Sequence, residues 1–176
     1  MKNNIVLIGM PSCGKSTIGV VLAKVLGYRF LDSDLVIQEQ TGKLLCELID
    51  EKGIDGFNAI ENQVNASLTC ERCVIATGGS VIYGSDAMEH LKKNGVVVYL
   101  RLSLSTLEER IGDLTARGVS IRENQSFEDL YLERKPLYEK YADITVDADG
   151  MQIRELVFAL KEKIAIVLQN EKDVVN

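Results

Sequence analysis

With 176 residues, 46% apolar and 26% charged, the chain has the composition of one soluble domain, large enough to bury a core without disulfides or metals. A formal charge of -6 excludes a general basic surface for nucleic acid, and no apolar run approaches the roughly 20 residues of a membrane span. No signal peptide precedes the first strand, so a cytoplasmic location is expected.

NIVLIG (4–9) is a short β-branched run ending in glycine and reads as a strand. STIGVVLAKVLG then changes to helical period, with Ile18, Val21, Leu22 and Val25 on one side and Gly27 as a stop. YRFLDSD (28–34) reads as a second brief strand. LVIQEQTG and LLCELIDEKG read as short helices closed by glycine, and residues 54–70 as a longer one. CVIAT (73–77) is a third strand, followed by the loop GGS (78–80). A helix around 86–93 leads into a fourth strand, GVVVYLRL. Ser105-Thr-Leu-Glu108 has capping-box spacing and opens the next helix. Residues 112–127 are polar without a strong period. A helix near 126–140 is interrupted by Pro136, and DITVDAD gives a fifth strand. The last helix buries Ile153, Leu156, Val157, Leu160, Ile164 and Val167, and 171–176 form a frayed tail. Alternating strands and helices imply an α/β fold, a five-stranded parallel sheet covered on both faces, within a single domain over 1–170.

Cys70-Glu-Arg-Cys73 has a CxxC spacing, but Cys13 and Cys46 form no second pair and His90 is the sole histidine. A tetrahedral zinc site needs more ligands than this. Chance spacing in a reducing compartment and a redox role both stand as readings, with chance favoured.

Gly9-Met-Pro-Ser-Cys-Gly14-Lys15-Ser16 fits G-x-x-x-x-G-K-[ST] at every defined position, with a strand before it and a helix after it. Ser12, Cys13, Gly14, Lys15, Ser16 and Thr17 form a cradle whose backbone N–H groups turn toward the phosphates of a nucleotide. Lys15 reaches the β- and γ-phosphates, and the Ser16 hydroxyl ligates Mg²⁺. No N-K-x-D motif marks guanine recognition, and the strand VVVYL ends in Arg101 rather than in a motor-type Asp. The acidic pair follows the second strand instead. Asp32 and Asp34 stand at its carboxyl end, where open α/β sheets bind ligands. One carboxylate suits the magnesium shell and the other an acceptor hydroxyl; a solvated turn with a helix cap is the plainer alternative.

With GMPSCGKSTIG, FLDSD, ATGGS and ERKPLYEKYAD in this order, residues 1–150 resemble the shikimate kinases, small P-loop kinases that phosphorylate a hydroxyl of a cyclic polyol acid. The resemblance implies a three-layer P-loop kinase fold with a mobile lid at 112–127, and ATP and Mg²⁺ as cofactors. It implies that Asp32 and Ser16 position Mg²⁺ and that Asp34 binds the acceptor hydroxyl and takes its proton. Gly78 and Gly79 lie against the acceptor, and Arg134 pairs with its carboxylate. Arg117 reaches the transferring phosphate from the lid, and Arg110 lies beside adenine. Lys15, Asp34 and Arg117 are then the catalytic set, since a loose transition state asks mainly for alignment and positive charge. The partner is a small hydroxyl acceptor, with neither nucleic acid nor membrane, and the expected state is a monomer.

Three departures fall in the acceptor pocket. GFNAIEN carries Phe57 and Glu61 but has Asn58 where the family pattern Phe-Arg-x-x-Glu has an Arg. Ser80 replaces the third glycine of the family loop, and Gly118-Val119 replaces Pro-Leu. Losing an Arg–carboxylate pair worth ~1.5–3 kcal/mol weakens acceptor binding roughly 10- to 100-fold. Asn58, as the substitute substrate contact, offers donors without charge; Arg122 and Lys135 are candidate replacements. Three readings stay open: phosphorylation of shikimate, a same-fold kinase for another polyol, sugar acid or hydroxy amino acid, and a nucleotide-binding regulator without transfer.

Overall fold

The computed structural model describes residues 2–111 and 118–175. Strands and helices alternate as β1 (Asn4–Ile8), α1 (Lys15–Leu26), β2 (Arg29–Asp32), α2 (Ser33–Thr41), α3 (Leu45–Ala66) and β3 (Cys73–Ala76). A 3₁₀ turn (Val81–Tyr83) then leads to α4 (Ser85–Asn94), β4 (Gly95–Arg101), α5 (Leu104–Arg110), α6 (Phe127–Tyr141), β5 (Ile144–Asp147) and α7 (Ile153–Val175). The sheet order is β2-β3-β1-β4-β5, and every neighbouring pair is parallel.

Side chains alternate across a strand, so a strand with all of them buried has both faces covered. β1 is such a strand: Ile5, Val6, Leu7 and Ile8 are fully buried. Each of these burials contributes about 1.5–3 kcal/mol. α1 and α7 pack on one another, as do α3 and α4, and α4 also packs on β1 and β4. The registers Leu7–Ala76 and Asp32–Ala76 bring the carboxyl ends of β1, β2 and β3 level. The loops that follow these three strands therefore open at one edge, where β1 separates the β2-β3 half from the β4-β5 half. Among the described residues no helix is long and apolar enough to cross a membrane.

The close of a helix at Gly53 holds: at φ 69°, ψ 176° it leaves the helical region, and α3 is two helical segments meeting at that kink. Several other local expectations change. Pro136 does not interrupt α6, which runs unbroken from Phe127 to Tyr141. Its missing N–H would have served the carbonyl of Leu132, an exposed residue whose carbonyl water can reach. The cap of α5 is Ser103 rather than Ser105, with the Ser103 Oγ accepting from the Thr106 N–H at 3.3 Å. Ile153, expected in the core, is half exposed, whereas Leu156, Val157, Leu160 and Ile164 are buried. α7 carries the helix on through Val175, into the stretch expected to fray. Of the expected lid, 112–117 lie outside the described residues.

Candidate active site

The loop between β1 and α1 ends at Gly14, the N-cap of α1, which makes no side-chain cap bond. Four backbone N–H groups at a helix start have no partner within the helix, so this end favours an anion. Lys15, largely buried, donates from Nζ to the Gly9 and Met10 carbonyls at 2.8 and 3.0 Å. Ser16 Oγ donates to Asp32 Oδ2 at 2.6 Å, and Asp32 Oδ1 accepts from the Asp34 N–H at 3.1 Å. Asp32 is thus the N-cap of α2, and that cap turns the Asp34 side chain inward.

A cleft of about 460 Å³ opens over this loop, walled by Lys15, Ser16, Asp34, Glu61, Gly79 and Arg134. Asp34 Oδ1 is buried there without a hydrogen-bond partner. Burial first, then the neighbouring Asp32 charge, raise its carboxyl to about 6, while Lys15 pulls the other way. Glu61, on α3, is buried with both oxygens unpartnered. Burial and the Asp34 charge raise it to about 7, against the Ser80 hydroxyl, Arg134 and Lys15. Gly78 separates the two acids. A Cβ there would lie 2.1 Å from Glu61 Oε1 and 2.9 Å from Asp34 Oδ1, so no side chain fits.

Arg134 is buried on the opposite wall. Its Nη2 donates to the Ser120 carbonyl at 2.7 Å, its Nε donates to Tyr83 OH at 3.3 Å, and its guanidinium lies over the Tyr83 ring. Tyr138, one turn further along α6, donates from its OH to the Gly79 carbonyl at 2.6 Å and stacks on Tyr99. Gly118 also lines the cleft, at φ +64°; a Cβ on it would sit 2.6 Å from Leu45 Cβ. Proline, its φ fixed at about −65°, could not take this conformation.

Of the expected site residues, Ser12, Gly14, Lys15, Ser16, Thr17, Asp34, Gly78, Gly79, Arg110 and Arg134 all reach the cleft wall. Asp32 reaches the site through Ser16. Cys13 lies instead in an adjoining hollow of about 190 Å³, where Arg110 meets Ala148, Met151, Ile153 and Leu156. Asn58 lines a side cavity, where its Oδ1 accepts at 3.3 Å from the Oγ of Ser120, a residue that also lines the cleft. Arg117 lies outside the described residues. Tyr83, Ser120 and Tyr138 went unread in the sequence. Tyr138 had a signal, since it stands four residues after Arg134 and so shares its helix face; Ser120 had none. Cys70 and Cys73 lie at the opening of β3, at the opposite end of the strand from the cleft. Burial pushes both thiols up, Cys73 to about 12, which disfavours the thiolates that redox exchange needs.

Residues 11–165 match the family described as shikimate kinase. A shikimate kinase of Thermodesulfovibrio yellowstonii is 39% identical over 156 residues, 87% of this chain and 90% of that one. One from Clostridium botulinum (strain Eklund 17B / Type B) is 38% identical over 171 residues, 97% and 100% of the two chains. The structure of a shikimate kinase from Acinetobacter baumannii in complex with shikimate superposes with a TM-score of 0.84 at 34% identity, covering 97% of this chain and 95% of that one. The family match over residues 11–165 and this likeness over nearly the whole length show that the chain belongs to the shikimate kinase family.

Proposed function

We propose that this chain transfers the γ-phosphoryl group of ATP to a hydroxyl of shikimate. One observation carries the reading: the Asp34 carboxylate is buried, with Oδ1 unpartnered, in a cleft whose floor is a phosphate-binding loop. The start of α1 holds the phosphates, and Lys15 exchanges its two carbonyl partners for phosphate oxygens, a stronger charge-assisted pair. Ser16 and Asp32 bring two oxygens to 2.6 Å, which fits a Mg²⁺ ion held by few protein ligands and completed by phosphate and water. That ion supplies positive charge against the charge spread over the transferring group. Arg110 and the apolar hollow beside it hold the adenine. Asp34 orients the acceptor hydroxyl. At about 6 it is a stronger base than an ordinary carboxylate, yet still mostly ionised at pH 7 and able to take the proton. Gly78 and Gly79 let the acceptor approach the backbone, and Arg134 takes its carboxylate. Arg117 reaches the transferring group from a lid over 112–127, in one domain spanning 1–170. The reading is of a cytoplasmic monomer acting on a small acceptor.

Asn58 is uncharged and bonded to Ser120 while Glu61 faces the cleft without a hydrogen-bond partner, and this favours a second reading, a different small hydroxylated acceptor. Purified protein with MgATP and, separately, shikimate, gluconate, homoserine and nucleoside monophosphates decides between them through ADP release. Shikimate is expected to give the highest kcat/KM; a higher value for another compound replaces it as acceptor. Asp34→Asn is expected to lower transfer by about 10²- to 10⁴-fold while calorimetry shows unchanged ATP binding. A near-normal rate overturns the acceptor assignment.

A further inference from the structure

A buried carboxylate is strongly disfavoured unless a cation or a donor reaches it. Among the described residues neither oxygen of Glu61 makes a hydrogen bond, the Ser80 hydroxyl easing its charge only from nearby, and Asp34 Oδ1 beside it makes none either. Of the three cations on the cleft wall among the described residues, Lys15 is engaged with the Gly9 and Met10 carbonyls, Arg134 with Ser120 and Tyr83, and Arg110 also lines the adjoining hollow beside α7. An anionic acceptor entering between Asp34 and Glu61 meets two carboxylates that none of these cations bonds.

One turn before Glu61 on α3 stands Asn58, uncharged and held to Ser120. Beyond it lies the side cavity, about 270 Å³, lined by Asp55, Asn58, Ser120, Glu133 and Arg122 among others. Ser120 lines both this cavity and the main cleft, so the two adjoin at one residue and one long hydrogen bond. Arg122 is only loosely held there. Its side chain is 67% exposed and lies 3.8 Å from Asp55 Oδ1, itself 91% exposed, an ion pair too wet to resist rearrangement. Its backbone N–H donates to Gln125 Oε1, which steadies the main chain and leaves the guanidinium to move. Glu133, the other acid in the cavity, already accepts from Tyr83 OH and Gln125 Nε2.

We propose that Arg122 is a specificity-determining residue of the acceptor site: its guanidinium passes from the side cavity between Ser120 and Asn58 and pairs with both Glu61 and the acceptor carboxylate. The inference rests on the shikimate reading above. Arg122 supplies from a neighbouring segment the cation that position 58 lacks.

Steady-state kinetics with MgATP and shikimate test it on the wild type, R122A, R122K, N58R and N58R/R122A, with unfolding midpoints checked for each. R122A is expected to raise the shikimate KM about 10- to 100-fold, with kcat and the ATP KM nearly unchanged. R122K restores part of the loss. N58R lowers the shikimate KM and makes R122A silent, because the grafted guanidinium replaces the borrowed one. An unchanged KM in R122A, or an equal cost in both backgrounds, overturns the role of Arg122 and leaves the kinase reading intact. Should N58R not fold, the R122A KM alone decides. A wild type that phosphorylates another compound and not shikimate overturns both.

Discussion

Glu61 ties the acceptor pocket to the pH response of folding. Its carboxyl rises from 4.5 to about 7, chiefly through burial and then through the Asp34 charge. A carboxyl held above its unfolded value binds its proton more tightly when folded, so the folded state loses stability as pH climbs. The penalty is absent below about pH 4.5, grows between there and pH 7, and is fully developed above. At about 1.4 kcal/mol per pKa unit it amounts to roughly 2–4 kcal/mol at pH 8. Glu61→Gln keeps the shape and abolishes the charge. Denaturant unfolding is expected to show the variant more stable than wild type at pH 8 by that amount, with little difference at pH 5. Equal effects at both values would mean that the charge is compensated in the free protein. The sequence points to the acid but not to its isolation, because that depends on where Lys15, Arg134 and Asn58 aim their tips.

α6 joins the two halves of the acceptor wall. Arg134 and Tyr138 share one face, while Pro136 lies between them without breaking the helix. Tyr138 OH holds the Gly79 carbonyl, and its ring, packed on Tyr99, is fully buried. Tyr138→Phe keeps the ring and leaves a buried carbonyl unpaired, at a cost of about 1–3 kcal/mol. Thermal unfolding is expected to fall accordingly, and the acceptor KM to rise more than the ATP KM, since the freed loop carries Gly78 and Gly79. Equal changes in both KM values would place Tyr138 in general packing. The element-level misreadings have the same origin. Ser103 and Ser105 are both plausible caps locally, and the choice is made by Asp149 from beyond β5, which accepts from the Ser103 N–H at 2.9 Å and from its Oγ at 3.1 Å. Five strands and the phosphate loop were legible because β-branched runs, glycine stops and one dense motif specify them within a few residues. Tyr138 and Ser120 were harder to read, since their partners lie 59 and 62 residues away.

At the scale of the whole molecule, the sheet order decides where a ligand acts. β1 pairs with β3 on one side and β4 on the other, so its loop sits where the two halves of the sheet part. The cleft and its adjoining hollow draw on α1, α5 and the start of α7, elements spread over most of the chain. A nucleotide bound there bridges segments that must all be folded at once, so its binding energy adds to global stability rather than to one loop. At about 100 times its Kd, a ligand that binds only the folded state contributes about 2.7 kcal/mol, or roughly 5–10 °C in unfolding midpoint for a chain of this length. MgADP is expected to produce such a shift. Lys15→Ala should reduce it by removing the ammonium that meets the phosphates, and chelating the Mg²⁺ should reduce it by leaving Ser16 and Asp32 nothing to hold. A midpoint indifferent to nucleotide would make the loop after β1 a glycine-rich turn and nothing more, whatever the order of the strands around it.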